Sequence, residues 1–475
     1  MVVRKRDVSL YAVVGSALIA CAMPTNVRAE SLNDALASAY QFNPEIDAER
    51  ARLRATDENV AQAMSGFRPR VDAQADVNVQ HLNTRPDSLG EGTTHPKNYQ
   101  IGAVQEIFSG FRTVNAVKGS EAGVRAGREQ LRLTEQRVLL NAATAYMNTV
   151  RDQEIVRLLD SNVTALSKEL KATQDRFAVG EVTRTDVAQS EARRAGAISD
   201  LDLAKANLKS SRASYEQIIG HPPESLVEPP GAGAALPKSL DEAVNIAMKE
   251  NPNVVGALYL EERARYTVDQ IRGELLPEVT LQANYADNFE PSKFLDEQER
   301  ATLTGRVTMP LYEGGEIYSR VRQAKHTHVS QLQEIQQRRD EATANVTSAW
   351  SQLEAARARL TSDKVQVESN VIALNGVREE ERVGQRTLID VLNQQLEVVS
   401  AQVQQVRTKR DVVVNGYAVL QSVGRLEMAY LGLAAAVYDP EVHANEVRRQ
   451  WFGLSITHED GSVENVDVSD HAPVK

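Results

Sequence analysis

Two short stretches concentrate polar groups between apolar residues: Val179-Gly180-Glu181-Val182-Thr183-Arg184-Thr185-Asp186-Val187 and Val383-Gly384-Gln385-Arg386-Thr387-Leu388-Ile389-Asp390-Val391. Their spacing suits helix-end chemistry. Gly180 or Gly384 supplies a left-handed C-cap, and Thr183, Asp186, Thr387 or Asp390 caps the helix that returns. Catalytic and metal chemistry find little support. His326 and His328 stand two apart on a predicted helix, on different faces, with no cysteine or acidic ligand pattern beside them. No phosphate loop, dinucleotide fingerprint, nucleophile elbow or His-Glu-x-x-His run is present. The chain is therefore expected to be no enzyme and to hold no cofactor or metal.

The two stretches are equivalent points of an internal repeat. Ser31-Leu32 through Pro69 aligns without a gap on Ser239-Leu240 through Pro277, which matches Asn43-Pro44 to Asn251-Pro252 at an offset of 208. The offset then settles at 204, pairing Phe108-Ser109-Gly110 with Tyr312-Glu313-Gly314, Gly180 with Gly384, Thr183 with Thr387, and Gly220 with Gly424. Two copies of one supersecondary unit are fused in 475 residues.

Each copy opens with a helical segment, Ser31 to about Phe67 and Ser239 to about Leu276, stopped by Pro69 or Pro277. The period then changes to two. Val71, Ala73, Ala75, Val77 and Val79 alternate with Asp72, Gln74, Asp76, Asn78 and Gln80; Val279, Leu281, Ala283 and Tyr285 alternate with Glu278, Thr280, Gln282 and Asn284. Returning runs carry Tyr99, Ile101 and Ala103, then Ala301, Leu303, Gly305, Val307 and Met309. Strands are expected at about 70–81, 98–108, 278–286 and 301–310, with polar loops at about 82–96 and 287–300. About ten residues is the length a tilted strand needs to cross a bilayer.

Beyond Gly110 and Gly314 the pattern is that of long antiparallel helical hairpins, about 110–219 and 314–423. Val156, Leu159, Val163, Leu166, Leu170 and Phe177 step by threes and fours, and Val346, Leu353, Leu360, Val367 and Leu374 by sevens, the seam of a coiled coil. Leu201, Leu208 and Tyr215, and Val391, Val398, Val412 and Val419, form the partner rows. From Gly110 to Val179 no proline interrupts, which at helical rise spans on the order of 100 Å.

Residues 1–29 have a basic start, an apolar run and Val27-Arg28-Ala29, and are expected to be an export signal. Cys21, the only cysteine, follows Leu18-Ile19-Ala20, which resembles a lipoprotein processing site, so a lipid-anchored form is the alternative. Loss of Arg4, Lys5, Arg6 and Arg28 together with Asp7 takes the formal charge from −11 to −14, which disfavours nucleic-acid binding. Residues 30–219 and 239–423 are the two repeats, 220–238 a Pro- and Gly-rich linker around the outside, 424–456 part of the same belt, and 457–475 a disordered acidic tail.

Four strands per chain cannot close a membrane barrel, so several chains must combine; three supply twelve strands above a hollow ring of helices. The expected class is mainly α with a membrane β-barrel.

The opening Ser-Leu-x-x-Ala with its Asn-Pro, the Pro-x-Val that begins each strand, the Phe-Ser-Gly-Phe and Leu-Tyr-Glu-Gly-Gly junctions, and the Arg-Phe-x-Val-Gly-x-x-Thr-x-Thr-Asp-Val turn resemble the TolC family of outer-membrane efflux proteins. The resemblance covers Glu30 to about Tyr438, twice over. It implies a homotrimer with a shared 12-stranded barrel in the outer-membrane lipids of a Gram-negative bacterium and a periplasmic α-helical tunnel. It also implies docking to a periplasmic adaptor and an inner-membrane transporter of the RND or ABC type, in efflux of drugs or detergents or type I secretion of proteins. The hairpin tips would form a periplasmic gate: Arg386 at the family's tip arginine reaches toward Thr185 and Asp186 of a neighbouring hairpin, and Asp390 holds the first position of an acidic ring. Asn393 stands at the second ring position, where the archetype has Asp, and Glu381 where it has a tip tyrosine. A non-conducting periplasmic coiled-coil tether is the rival reading, disfavoured by the two strand hairpins.

Overall fold

The structure is a computed structural model that describes residues 30–83, 92–229, 231, 233, 235–292, 294–433, 437–457 and 463–465. The expected export signal with Cys21 lies outside the described residues, as does most of the acidic tail.

The chain opens with α1 (Leu32–Phe42), capped by a reciprocal Ser31–Asp34 box, and α2 (Pro44–Met64). The single helix expected from Ser31 to Phe67 is thus broken at Asn43. Proline has no N–H to continue the ladder and forces the preceding residue out of helical conformation. Asn43 sits at φ −80° and ψ 119°, and its side-chain oxygen accepts from the Glu45 amide at 2.9 Å to start the next helix.

Four strands follow: β1 (Arg70–Val77), β2 (Gln80–Leu82), β3 (Gly92–Thr94) and β4 (Lys97–Ser109). Then come the long helices α3 (Arg112–Ala178) and α4 (Arg184–Ile219). The second half runs α5 (Leu240–Glu250), α6 (Pro252–Arg272), β5 (Glu278–Ser292), β6 (Leu295–Thr308), α7 (Glu316–Arg382) and α8 (Leu388–Val423). α3 and α7 each have 67 residues, and α4 and α8 each have 36. The chain continues through α9 (Met428–Leu431), α10 (Pro440–Arg449), β7 (Ser455–Thr457) and β8 (Val463–Asn465). β7 and β8 pair antiparallel, so part of the tail expected to be unstructured is ordered as a strand.

The asparagines of the repeat do a second job. The Asn43 amide nitrogen donates to the Ile218 carbonyl at 3.0 Å, and that of Asn251 to the Ser422 carbonyl at 2.8 Å. Each break is thereby tied to the end of a return helix. Gly424, at φ +88°, lies so close that a Cβ there would stand 2.7 Å from the Asn251 Cα.

β1, β4, β5 and β6 form one antiparallel sheet in the order β1-β4-β5-β6, with β1 and β6 at its edges. Its register sorts the side chains. Val71, Ala103, Ala283 and Leu303 make one cross-strand row, and Ala73, Ile101, Tyr285 and Ala301 the next row on that face. Asp72, Gly102, Asn284 and Thr302 occupy the opposite face. The second strand hairpin is longer than expected. Residues assigned to a polar loop from 287 to 300 instead pair as Asp287 with Glu299, Asn288 with Gln298 and Phe289 with Glu297. Backbone pairing continues there without apolar alternation, since ladder hydrogen bonds need no particular side chain. β3 forms inside the first expected loop and pairs with β2, which takes up the end of the strand expected at about 70–81, because that strand breaks after Val77.

Two side-chain cores hold the hairpins. Leu374, Val391 and Val398 pack with Val371 and Val377 between α7 and α8. Leu166, Ala197, Leu388 and Leu392 pack with Val163, which binds the α3–α4 hairpin to α8. Phe177, expected in the seam, is exposed: it lies in the last turn of α3, where a side chain has neighbours on one side only. A larger core lies midway along the molecule, where Leu36, Tyr146, Tyr215, Leu420, Leu426 and Met428 come together.

Candidate functional site

Each hairpin reverses through one turn. Gly180 at φ +80° and Gly384 at φ +77° place the Glu181 amide on the Arg176 carbonyl at 3.0 Å and the Gln385 amide on the Glu380 carbonyl at 2.8 Å. Thr183 and Thr387 then open the return helices with reciprocal boxes. The Thr183 amide donates to Asp186 Oδ2 at 2.8 Å and the Asp186 amide to Thr183 Oγ1 at 3.3 Å; the Thr387 amide donates to Asp390 Oδ2 at 3.0 Å. Threonine hydroxyls and then the backbone amides hold both aspartates below their ordinary pKa. Asp186 and Asp390 therefore cap helices and remain charged, which leaves them able to act on ions or a neighbouring chain.

The remaining tip residues are distributed differently from expectation. Arg386 donates from Nε to Glu380 of its own hairpin at 2.9 Å, so within one chain it does not meet Thr185 or Asp186. Thr185 is exposed in the first turn of α4. The link between hairpins is made by other residues. Arg176 Nη1 lies 2.9 Å from Glu381 Oε1 and its Nε 3.5 Å from Glu181, joining the end of α3 to the end of α7. Deeper in, Arg193 on α4 donates to Asn393 on α8 at 2.5 Å. Glu381 and Asn393, the two departures from the family pattern noted in the sequence, thus both take part in tying one hairpin to the other.

Arg193 was not singled out in the sequence, and Arg176 entered only as the first residue of the Arg-Phe-x-Val-Gly turn, with no contact expected of it. The signal available for Arg176 was a charge inversion between copies, because position 176 corresponds to Glu380 at the offset of 204. The Glu381–Arg176 and Glu380–Arg386 pairs use both sides of that inversion.

Away from the tips, polar side-chain contacts brace the middle of the molecule. Arg132 lies 2.6 Å from Glu427 and 2.5 Å from Glu129. Glu135 accepts the Met428 amide at 2.9 Å, and burial pushes its carboxyl up to about 7. His328 meets Glu261 at 2.6 Å across α6 and α7, a tie between helices. His443 on α10 meets the buried Asp57 on α2 at 2.9 Å. No helix among the described residues is long and apolar enough to cross a membrane.

Long paired helical hairpins beneath a sheet with one apolar face define an outer-membrane channel subunit, and the chain belongs to the outer membrane efflux protein family, whose pattern matches residues 35–221 and 243–425. It is 37% identical over 427 residues to the outer membrane efflux protein BepC of Brucella suis biovar 1 (strain 1330), covering 90% of this chain and 92% of that protein. To the outer membrane protein TolC of Escherichia coli (strain K12) it is 23% identical over 430 residues, covering 87% and 86%. Its fold matches that of the Campylobacter jejuni CmeC outer membrane channel with a TM-score of 0.74 at 17% identity, covering 88% of this chain and 89% of that one. The protein is located in the outer membrane of a Gram-negative bacterium.

Proposed function

We propose that this protein is the trimeric outer-membrane channel of an efflux or type I secretion system, conducting drugs, detergents or proteins from a periplasmic docking end to the outside. The observation that carries the proposal is the four-stranded sheet with unpaired edges at β1 and β6 and one apolar face. Unpaired N–H and C=O groups cost several kcal/mol each in lipid, so such a sheet must be closed by other chains. Three copies close it with twelve strands, an even number within the range of bacterial barrels. The tandem hairpins of the same three chains continue it as an α-helical tunnel. An RND- or ABC-type transporter of the inner membrane, docked through a periplasmic adaptor, supplies the energy.

In this reading the tip is a gate. The Arg176–Glu381 pair draws the two hairpins of one chain together, Arg386 reaches Thr185 and Asp186 of the next chain, and three copies of Asp390 ring the axis. Thr183, Thr387, Gly180 and Gly384 keep the turns in shape. The mass of the detergent-solubilised protein tests the assembly and should correspond to three chains. A stable monomer or dimer with its full strand content would refute it.

A further inference from the structure

The segment after α10 carries Trp451, Phe452, Leu454 and Ile456, which are 60%, 89%, 72% and 50% exposed. Four large apolar side chains in six residues, uncovered among the described residues, form a patch that water does not favour. The structure fixes where this patch sits. Arg68 Nη1 donates to the Gln450 carbonyl at 3.1 Å, and its guanidinium lies 4.5 Å from the centre of the Trp451 ring. Arg68 is two residues before the first residue of β1, about 7 Å of chain, so its side chain holds Trp451 near the start of the sheet. Phe67 and Phe111, exposed on either side of the β1–β4 hairpin, lie at the same junction between strands and helices.

The segment does not hang loosely. Behind it α10 is clamped by the His443–Asp57 contact, by Arg448 to Glu121 at 2.8 Å and by Arg128 to Glu441. The patch also adjoins a second cation, since Arg449, two residues before Trp451, is exposed and joins no ion pair among the described residues. Aromatic rings beside guanidinium groups, at the edge of an apolar face, are the chemistry that suits the interface of a phospholipid leaflet.

We infer that residues 451–456 are an interfacial anchor that lies on the phospholipid leaflet facing the helices, with the rings among the acyl chains nearest the surface and Arg449 at the phosphates. The inference rests on reading the sheet as the membrane-crossing element, because the patch's place beside the start of that sheet, fixed by Arg68, is what selects lipid over a second protein surface. The anchor sets the depth and tilt of each subunit independently of the barrel.

The chain has two tryptophans, Trp350 and Trp451, which allows a direct test. The full-length Trp350→Phe trimer is reconstituted in phosphatidylethanolamine and phosphatidylglycerol vesicles with or without chain-brominated phosphatidylcholine. Brominated lipid should quench Trp451 emission by about half or more, while aqueous acrylamide quenches it weakly. If Trp350→Phe fails to assemble, the same component is read as the difference between wild type and Trp451→Phe. Leu303→Trp, in a chain without the other two tryptophans, reports the sheet. Quenching at position 303 but not at 451 overturns the anchor alone, whether Trp451 proves open to acrylamide or shielded by protein. Quenching at neither position overturns the membrane reading of the sheet.

Discussion

Arg176→Ala removes the guanidinium that joins the two hairpin tips of one chain, and should shift the tip toward its open arrangement. Two unit charges about 4 Å apart at an effective dielectric of about 20 attract by about 4 kcal/mol. Most of that is lost here. The Arg176 and Glu381 side chains are 43% and 19% exposed, and solvent screening together with the entropy of fixing both leaves about 0.5–1 kcal/mol. Three subunits opening together raise this to about 1.5–3 kcal/mol, a change of roughly 10- to 150-fold in the ratio of closed to open channels. Single-channel recording in planar bilayers measures that ratio directly. Wild type should open more as salt rises from about 0.1 M to 1 M, because the pair is screened, and Arg176→Ala should lose that dependence. An open fraction in Arg176→Ala equal to that of wild type at low salt, with the salt response intact, would refute the reasoning. Arg386→Ser gives the contrast: its partner within the chain is Glu380 of the same hairpin, so a raised resting conductance there reports a contact with the next chain.

Asp390→Ala should weaken cation selectivity and block by multivalent cations, read as a shift in reversal potential; unchanged selectivity would reduce Asp390 to a helix cap. Leu374→Asp puts a charge among Val371, Val391 and Val398 and should cost on the order of several kcal/mol, exposing α7 and α8 to protease while the barrel survives. Normal assembly and export by that variant would mean the seam is assigned wrongly. Glu135 predicts a pH effect: its folded-state pKa is raised from 4.5 to about 7, so the stability it contributes is present below about 4.5 and is lost as pH rises through about 7. Wild type should therefore melt higher at about pH 5 than at about pH 8, and Glu135→Gln should narrow that difference.

The parts of the fold legible in the sequence were those under a one-dimensional rule. Val71, Ala73, Leu281 and Leu303 alternate because one face of the sheet is apolar, and Val346, Leu353 and Leu374 recur because one helix meets another along its whole length. The rule fails where pairing does not depend on side-chain polarity, so Asp287 and Glu299 read as loop although their backbones form a ladder. The break at Asn43-Pro44 was visible as a repeated pair, but its tie to Ile218 depends on where α4 ends, which no local pattern records. The tip was legible as capping chemistry, which the Thr183–Asp186 and Thr387–Asp390 boxes carry out. Arg176 and Glu381 stand 205 residues apart, so their contact follows from the packing of one hairpin on the other.

The equal lengths of the paired helices, 67 and 36 residues in both halves, make the molecule a ruler with four coupled edges. A heptad inserted in α3 and α4 alone would carry one hairpin tip about 10 Å past the other, parting Arg176 from Glu381. The reach of such a channel can change only by matched steps in both halves, each a whole number of heptads so that the seams keep facing inward. Fusing the two halves in one polypeptide also lets their tip residues diverge while their lengths stay locked, as the arginine at 176 and the glutamate at 380 illustrate.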